Sequence, residues 1–176
     1  MEQIELTEQQ KRELFNARQR GIARAKRQEK EYIQQGKGTR DWTPEQQKQL
    51  MDQGAVKDID WHHMRSVSSG ETYEEKIAIA ENKNNIQPLS SSSENNEHMA
   101  AHGGNTRNRT NGYYDPQTKQ TKSFGNGEPK APEARQLTHP VYAEEKAKNH
   151  AEKREEGFSQ EKKYDREEKR QIERSR

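Results

Sequence analysis

Cysteine is absent from this chain of 176 residues. Its absence excludes disulfides and thiolate-bound zinc, so any metal must be held by histidine or oxygen ligands. No run of about 18 apolar residues occurs, so we expect no membrane-spanning segment. The N-terminus also lacks the apolar region of a signal peptide. We therefore expect the protein to remain in the cytoplasm of its producer or to leave through a specialised export system.

Hydrophobic residues are scarce. They make up 25% of the chain against 35% for charged residues, and the mean hydropathy is −1.63. Low hydrophobicity predicts disorder when it is combined with a high net charge. Here the formal net charge is only +2, because positive and negative residues are interleaved. The composition therefore predicts one compact domain in the middle of the chain, with exposed arms on both sides.

Residues 1–36 predict a long polar N-terminal helix. Thr7 and Gln10 have the spacing of a capping box, in which the two side chains satisfy free backbone N–H groups at a helix start. Four apolar residues approximate one face of this helix, and we expect that face to be buried: Phe15, Ile22, Ala25 and Ile33.

Residues 37–112 contain the clearest structural signals and form the predicted core. Thr43 as N-cap, Pro44 at the first helical position and Gly54 as a stop indicate a helix over 43–53. The remaining patterns predict a strand within 55–67, a helix over 72–81, a strand over 86–89 and a helix over 94–102.

The C-terminal part of the chain gives weaker signals. Residues 113–140 are rich in glycine, proline and polar residues without periodicity, which predicts a linker or loop. Residues 141–176 contain 11 basic and 10 acidic residues and almost nothing apolar. This segment is predicted to be a charged, solvent-exposed helix or a disordered tail.

Four of the six histidines lie between residues 62 and 102. His98 and His102 are spaced i, i+4 on a predicted helix, so both rings can bind one ion. His62 and His63 are adjacent on a predicted strand, and a regular pleat would send them to opposite faces. Both can belong to one site only if the strand bulges or ends there.

The order of these elements resembles the HNH nuclease motif, the ββα-metal or His-Me finger. The motif is found here in the segments DWHHMRSV, NNIQPL and EHMAAHGG. A longer stretch, residues 14–112, resembles the GHH subgroup, which occurs as C-terminal toxin modules of bacterial polymorphic toxins. Trp61 replaces the glycine of that signature. The resemblance implies an α+β fold, with a small ββα-metal core, flanking polar helices and a largely disordered or extended-helical C-terminal tail.

The resemblance also implies the roles of individual residues. His62, His98 and His102 match the metal-ligand positions, and His63 matches the general base. Asn85 matches the motif asparagine that pins the loop and orients the base, although its neighbour Asn84 is an alternative. The implied cofactor is one divalent ion. Three neutral imidazoles suit zinc, nickel, cobalt or manganese better than magnesium, and the sequence leaves the choice open.

Candidate substrate contacts follow the same motif. Arg65 lies beside the expected base, and Arg107 and Arg109 follow the metal-binding helix. Each of these residues is equally consistent with an ordinary solvated arginine. Residues 1–40 contain ten basic and six acidic side chains, which favours a general attraction to nucleic acid. The two tryptophans, Trp42 and Trp61, are expected in the core rather than against bases.

The function implied is metal-dependent endonuclease activity on phosphodiester bonds in DNA, with RNA as a possible substrate. As a toxin, the protein would act in a target-cell cytoplasm and have a cognate immunity protein. Three alternatives remain at this stage. One is a metal-stabilised nucleic-acid-binding or adaptor protein without catalysis, another is a phage-type HNH endonuclease that is not a toxin, and the third is a mostly disordered interaction protein. The sequence leaves the oligomeric state open.

Overall fold

The computed structural model describes residues 4–174, with side chains described outside 143–150, 158–161 and 164–165. Five α-helices and six short strands follow one another in these residues. In chain order they are α1 (Glu8–Gln34), β1 (Lys37–Gly38), α2 (Pro44–Gln53), β2 (Ile59–His63), α3 (Tyr73–Glu81), β3 (Ile86–Ser90), α4 (Glu97–Ala101), β4 (Gly112–Asp115), β5 (Gln120–Ser123), β6 (Arg135–Gln136) and α5 (Tyr142–Arg174). Single 3₁₀ turns follow β2 and precede β3.

Helix α1 begins as predicted but buries a different face. The reciprocal Thr7–Gln10 capping box is present. The expected apolar face is only partly buried, however: Ile33 is buried, but Phe15 is 59% exposed. The buried residues of the helix are Leu14, Ala17, Gly21, Glu29 and Ile33. Small residues take this face because α1 packs very closely on α3: a Cβ added at Gly21 would lie 2.3 Å from the Ala80 carbonyl oxygen.

Strands β2 and β3 form the antiparallel pair at the centre of the molecule. Their register is regular, with His62 opposite Gln87 and His63 opposite Ile86. The predicted strand within 55–67 is therefore present but shorter. Every residue of β3 is buried, so this strand is covered on both faces. Helix α4 follows β3 after a short turn and completes a two-strand, one-helix unit.

Two hydrophobic clusters support this unit. One joins α1, α2 and the segment after β6, with Trp42 at its centre. Trp61 stacks on Trp42 with ring centroids 6.2 Å apart, which confirms that both tryptophans belong to the core. The other cluster lies between α1 and α3: Leu14, Ala17, Val67 and Ala80. The small mixed architecture confirms the predicted α+β fold class.

The structure differs from the loop expected over 113–140. Strands β4 and β5 form a hairpin there, and β6 pairs with β1. Buried side chains explain the difference, because Tyr114 on β4 and Leu137 after β6 are only 4% and 3% exposed. Beyond them, α5 corresponds to the helical alternative predicted for 141–176. Within residues 4–174, none of the helices is both long and apolar enough to cross a bilayer.

Candidate metal centre

Three imidazole rings converge where β2 meets α4. His62 comes from β2, His98 from the first turn of α4, and His102 from the residue that follows this helix. One ring nitrogen of each histidine lies within 4.8 Å of those of the other two. The ring centroids are 4.9–5.2 Å apart and the rings meet edge to face. The predicted i, i+4 pair therefore shares a site with the first histidine of the strand.

Hydrogen bonds on the outer side of the cluster orient two of these rings. His98 Nδ1 lies 2.9 Å from Asp60 Oδ2, and His102 Nδ1 lies 2.8 Å from the Asn108 carbonyl oxygen. Both oxygens are acceptors, so each Nδ1 carries the proton and each Nε2 keeps its lone pair. A metal-binding histidine is commonly held in this way, with its second nitrogen bonded to a carboxylate or carbonyl.

His62 provides the test of whether a metal fits. Its Nε2 is the one buried side-chain polar atom in the described part of the chain that has no hydrogen-bond partner. An orphaned buried nitrogen is unfavourable unless a ligand satisfies it. Burial, and then the neighbouring His102, His98 and His63, lower the pKa of His62 to about 3. The ring is therefore neutral at physiological pH, which is the form that binds metal. These three residues fit a divalent ion.

The His63 side chain leaves β2 on the face opposite to His62, as a regular pleat requires. His63 is the last residue of β2 and no bulge precedes it, so of the two ways in which both histidines could share a site only the strand end is present. Its Nε2 lies 2.8 Å from the Ala80 carbonyl oxygen. Since a carbonyl only accepts, Nε2 carries the proton and Nδ1 is left as the basic nitrogen. Burial lowers the pKa of His63, the Ala80 carbonyl opposes this, and the charge of Arg18 adds to the lowering.

Asn85 is fully buried at the end of the second 3₁₀ turn, whereas Asn84 is exposed. The Asn85 Oδ1 accepts the Arg65 N–H at 2.7 Å, and Nδ2 donates to the Arg65 carbonyl at 3.0 Å. The same Nδ2 donates to the Ile79 carbonyl at 3.3 Å. Asn85 thus ties the segment after His63 to the end of α3, beside the carbonyl that holds the His63 ring.

The three predicted arginines occupy different settings. Arg65 Nε donates to Asn111 Oδ1 at 2.8 Å, and its Nη2 donates to the carbonyls of Gly125 and Gly127. This guanidinium therefore joins the segment after β2 to residues on both sides of the β4–β5 hairpin. Arg107 and Arg109 are exposed. Substrate contacts by these residues stay a prediction, which the two exposed arginines fit better than Arg65 does.

A comparison with known families gives one match. Residues 8–90 match a family described as GHH signature containing HNH/Endo VII superfamily nuclease toxin. Over these residues the chain is similar to this nuclease toxin family. Among curated proteins, none matches the chain. By this description the members of the family are nuclease toxins.

The matched segment contains His62, His63 and Asn85 but ends before α4. His98 and His102 therefore lie outside it. The structure nevertheless brings both next to His62, so the matched segment and the following helix contribute to one histidine cluster.

Sequence reasoning missed several residues that support this site. Asp60 could have been found, because it lies two residues before His62 and a strand puts such residues on the same face. Asn108 could not, since it acts on His102 through its backbone carbonyl. Glu97 is also buried: its Oε1 accepts from Arg40 Nη1 at 2.8 Å and from the Ser90 N–H at 2.8 Å. This ion pair fastens the start of α4 to β3.

Proposed function

We propose that the protein is a metal-dependent endonuclease that hydrolyses phosphodiester bonds in DNA. In this proposal His62, His98 and His102 bind one divalent ion, and His63 is the general base. The observation that supports it best is the orphaned Nε2 of His62, which is buried among two other imidazoles whose outer nitrogens are already bonded. Three protein ligands leave coordination positions free, as a catalytic metal requires.

In this proposal the three histidines hold the ion, and the groups hydrogen-bonded to them orient their rings. When bound, a divalent ion supplies Lewis-acid stabilisation of the phosphate and of the leaving 3′ oxygen. Asp60 and the Asn108 carbonyl keep the rings of His98 and His102 in the tautomer with a free Nε2. A set of three neutral imidazoles favours zinc, nickel, cobalt or manganese over magnesium.

His63 supplies the proton acceptor. Its Nδ1 takes a proton from the attacking water as the water oxygen bonds to phosphorus and the bond from phosphorus to the leaving oxygen breaks. The resulting imidazolium is stabilised through Nε2–H by the Ala80 carbonyl. Asn85 positions this base by joining the backbone after His63 to the end of α3. Because burial lowers the pKa of His63, its imidazole is neutral and can accept a proton at physiological pH.

Similarity to a nuclease toxin family over residues 8–90 supports two further parts of the proposal. The protein acts in the cytoplasm of a target cell, and a cognate immunity protein blocks the site in the producer. A phage-type endonuclease would share the chemistry but not the immunity partner. In the adaptor alternative the metal is structural; it is disfavoured because structural sites are normally closed by a fourth protein ligand, and the cluster in the described residues has three.

The test is plasmid cleavage by the purified chain, with a chelator and then with each of several divalent ions, alongside an RNA substrate. We expect metal-dependent nicking that is lost in His98→Ala together with metal binding. His63→Ala should lose about 10²–10⁴-fold in rate while still binding the ion. His139→Ala, at an exposed histidine far along the chain, is the matched control. Tight metal binding by a folded protein that cleaves neither DNA nor RNA would overturn the nuclease proposal.

A further inference from the structure

Three basic side chains from separate elements lie around α3, whose Ala80 carbonyl holds the His63 ring. They are Arg18 on α1, Lys76 on α3 and Arg109 in the segment after α4. Arg18 and Arg109 are exposed, and neither forms an ion pair or side-chain hydrogen bond with another described residue. Other arginines are neutralised, since Arg20 pairs with Glu13 and Glu81 and Arg40 with Glu97.

Close packing of α1 on α3 places Arg18 near the base. Gly21 lies directly against the Ala80 carbonyl, and this same carbonyl accepts the hydrogen bond of His63. Arg18 precedes Gly21 by three residues, so it lies one turn away on the same side of the helix. Consistently, the charge of Arg18 is one of the groups that lower the pKa of His63, after burial.

Lys76 and Arg109 complete the group. The Lys76 Nζ donates to the Ser68 carbonyl at 3.1 Å, in the turn after β2. Arg109 is held beside that turn by the next residue, Thr110, whose N–H donates to Ser66 Oγ at 2.8 Å and whose carbonyl accepts the Ser66 N–H at 2.9 Å. Burial lowers the pKa of Lys76, and the charges of Arg109 and Arg18 lower it further. The charge of the neighbouring Glu75 opposes this lowering, and the Glu75 carboxylate also accepts the Glu71 N–H at 2.7 Å.

Like charges gathered in this way repel one another and favour a polyanionic ligand. We propose that Arg18, Lys76 and Arg109 form a phosphate-binding surface that holds the backbone of nucleic acid beside His63. This inference rests on the proposed nuclease function and extends it to substrate contacts from α1 and α3. Contacts to backbone phosphates position a duplex without reading its bases, so the surface makes the enzyme tolerant of sequence.

The experiment measures binding without cleavage. The full chain, kept in chelator, is titrated into a fluorescently labelled 20-base-pair DNA duplex at several salt concentrations, and anisotropy gives the association constant. For duplex DNA the slope of log K against log[salt] is about −0.9 for each phosphate contact. We expect Arg18→Gln and Arg109→Gln each to make the slope shallower by about 0.9, and the double variant by about 1.8.

Two controls separate this surface from the general charge of the chain. Arg27→Gln removes the same charge from another exposed position of α1 and should leave the slope unchanged. Lys76→Gln should weaken DNA binding as well. Because the Lys76 amine also donates to the Ser68 carbonyl, the melting temperature of this variant must be measured alongside its DNA binding. The exposed positions of Arg18 and Arg109 make folding failure there a minor concern.

The outcomes distinguish this inference from the nuclease proposal. If the double variant is folded and binds the duplex with the wild-type slope, or if the wild type does not bind DNA, the phosphate-binding surface is wrong even where cleavage is observed. If the slope falls as expected while no ion supports cleavage by the wild type, the surface stands and the nuclease proposal fails.

Discussion

The two faces of β2 carry histidines whose surroundings suit different chemical roles. On one face His62 meets two other imidazoles and leaves a buried nitrogen without a partner. On the other face, one residue later, His63 is bonded to the Ala80 carbonyl and lies in the field of Arg18. The pleat of the strand therefore puts the proposed metal ligand His62 and the proposed proton acceptor His63 on opposite faces, although the two residues are adjacent in the chain.

The two faces also differ in how they are held. The His62 face depends on α4, a helix of only five residues, and on Asp60, whose side chain is 48% exposed. The His63 face depends on buried Asn85 and on the close contact of α1 with α3. We therefore expect changes on the His63 face to act mainly on stability and geometry, and changes on the His62 face to act mainly on metal affinity.

The largest effect is expected for Asn85→Ala. This substitution leaves the Arg65 N–H and the carbonyls of Arg65 and Ile79 without their partner inside the protein. Unsatisfied buried groups destabilise by about 1–3 kcal/mol each, so the free energy of unfolding should fall by about 3 kcal/mol or more. Urea denaturation measures it. Asn84→Ala, at the exposed neighbour, should change stability by less than about 0.5 kcal/mol; equal losses in the two variants would show that Asn85 does not pin the loop.

The His62 face should make the metal-free protein sensitive to acid. His62 has a pKa of about 3 in the folded protein, against 6.5 for an unperturbed histidine. Between these values the unfolded chain binds more protons, so stability is complete above pH 6.5 and falls as the pH is lowered. The slope is about 1.4 kcal/mol per pH unit, or roughly 3 kcal/mol between pH 6.5 and 4.

Urea denaturation in chelator at several pH values tests this acid sensitivity. Because carboxylates also titrate near pH 4, the quantity to compare is the pH slope of the wild type against that of His62→Gln. The variant should lose most of the slope between pH 6.5 and 5. Identical slopes would mean that His62 is not buried in its neutral form.

Gly21→Ala tests the packing behind the His63 face. The new methyl carbon would lie 2.3 Å from the Ala80 carbonyl oxygen, so α1 or the carbonyl must move. Overpacking of this kind destabilises by about 1–3 kcal/mol, and a displaced carbonyl misorients the His63 ring. We expect a lower melting temperature and a cleavage rate reduced by about tenfold or more.

Gly157→Ala in α5 is the matched control, because nothing lies within 4 Å of a Cβ at that position. Alanine is the better helix former by about 1 kcal/mol, so this variant should be as stable as the wild type or more stable. Full cleavage activity in Gly21→Ala, with unchanged melting temperature, would show that α1 does not position the base.

Short-range sequence patterns predicted the helices and strands but not how these elements pack against one another. The caps at Thr7 and Thr43 and the histidine spacing are short-range patterns, and the structure contains all of them. The buried face of α1 was predicted correctly at Ile33 but not at Phe15, because apolar character favoured Phe15 whereas contact with α3 demands small residues such as Gly21. Arg18 was missed for the same reason: its position next to His63 exists only once the two helices pack.

The smallest effect is expected for Asp60→Asn, which tests the outer support of the His62 face. An amide can still hydrogen-bond His98 Nδ1, but it no longer supplies the negative charge that strengthens the ligand. Losing such a partner weakens metal binding by about 10–100-fold, and the exposure of Asp60 suggests the lower end. Competition with a chromophoric chelator measures the affinity. Asp58→Asn removes the same charge two residues away, at an exposed position with a left-handed φ of 58° that asparagine tolerates. An equal loss in both variants would assign the effect to general charge, whereas a loss confined to Asp60→Asn would assign it to the bond with His98.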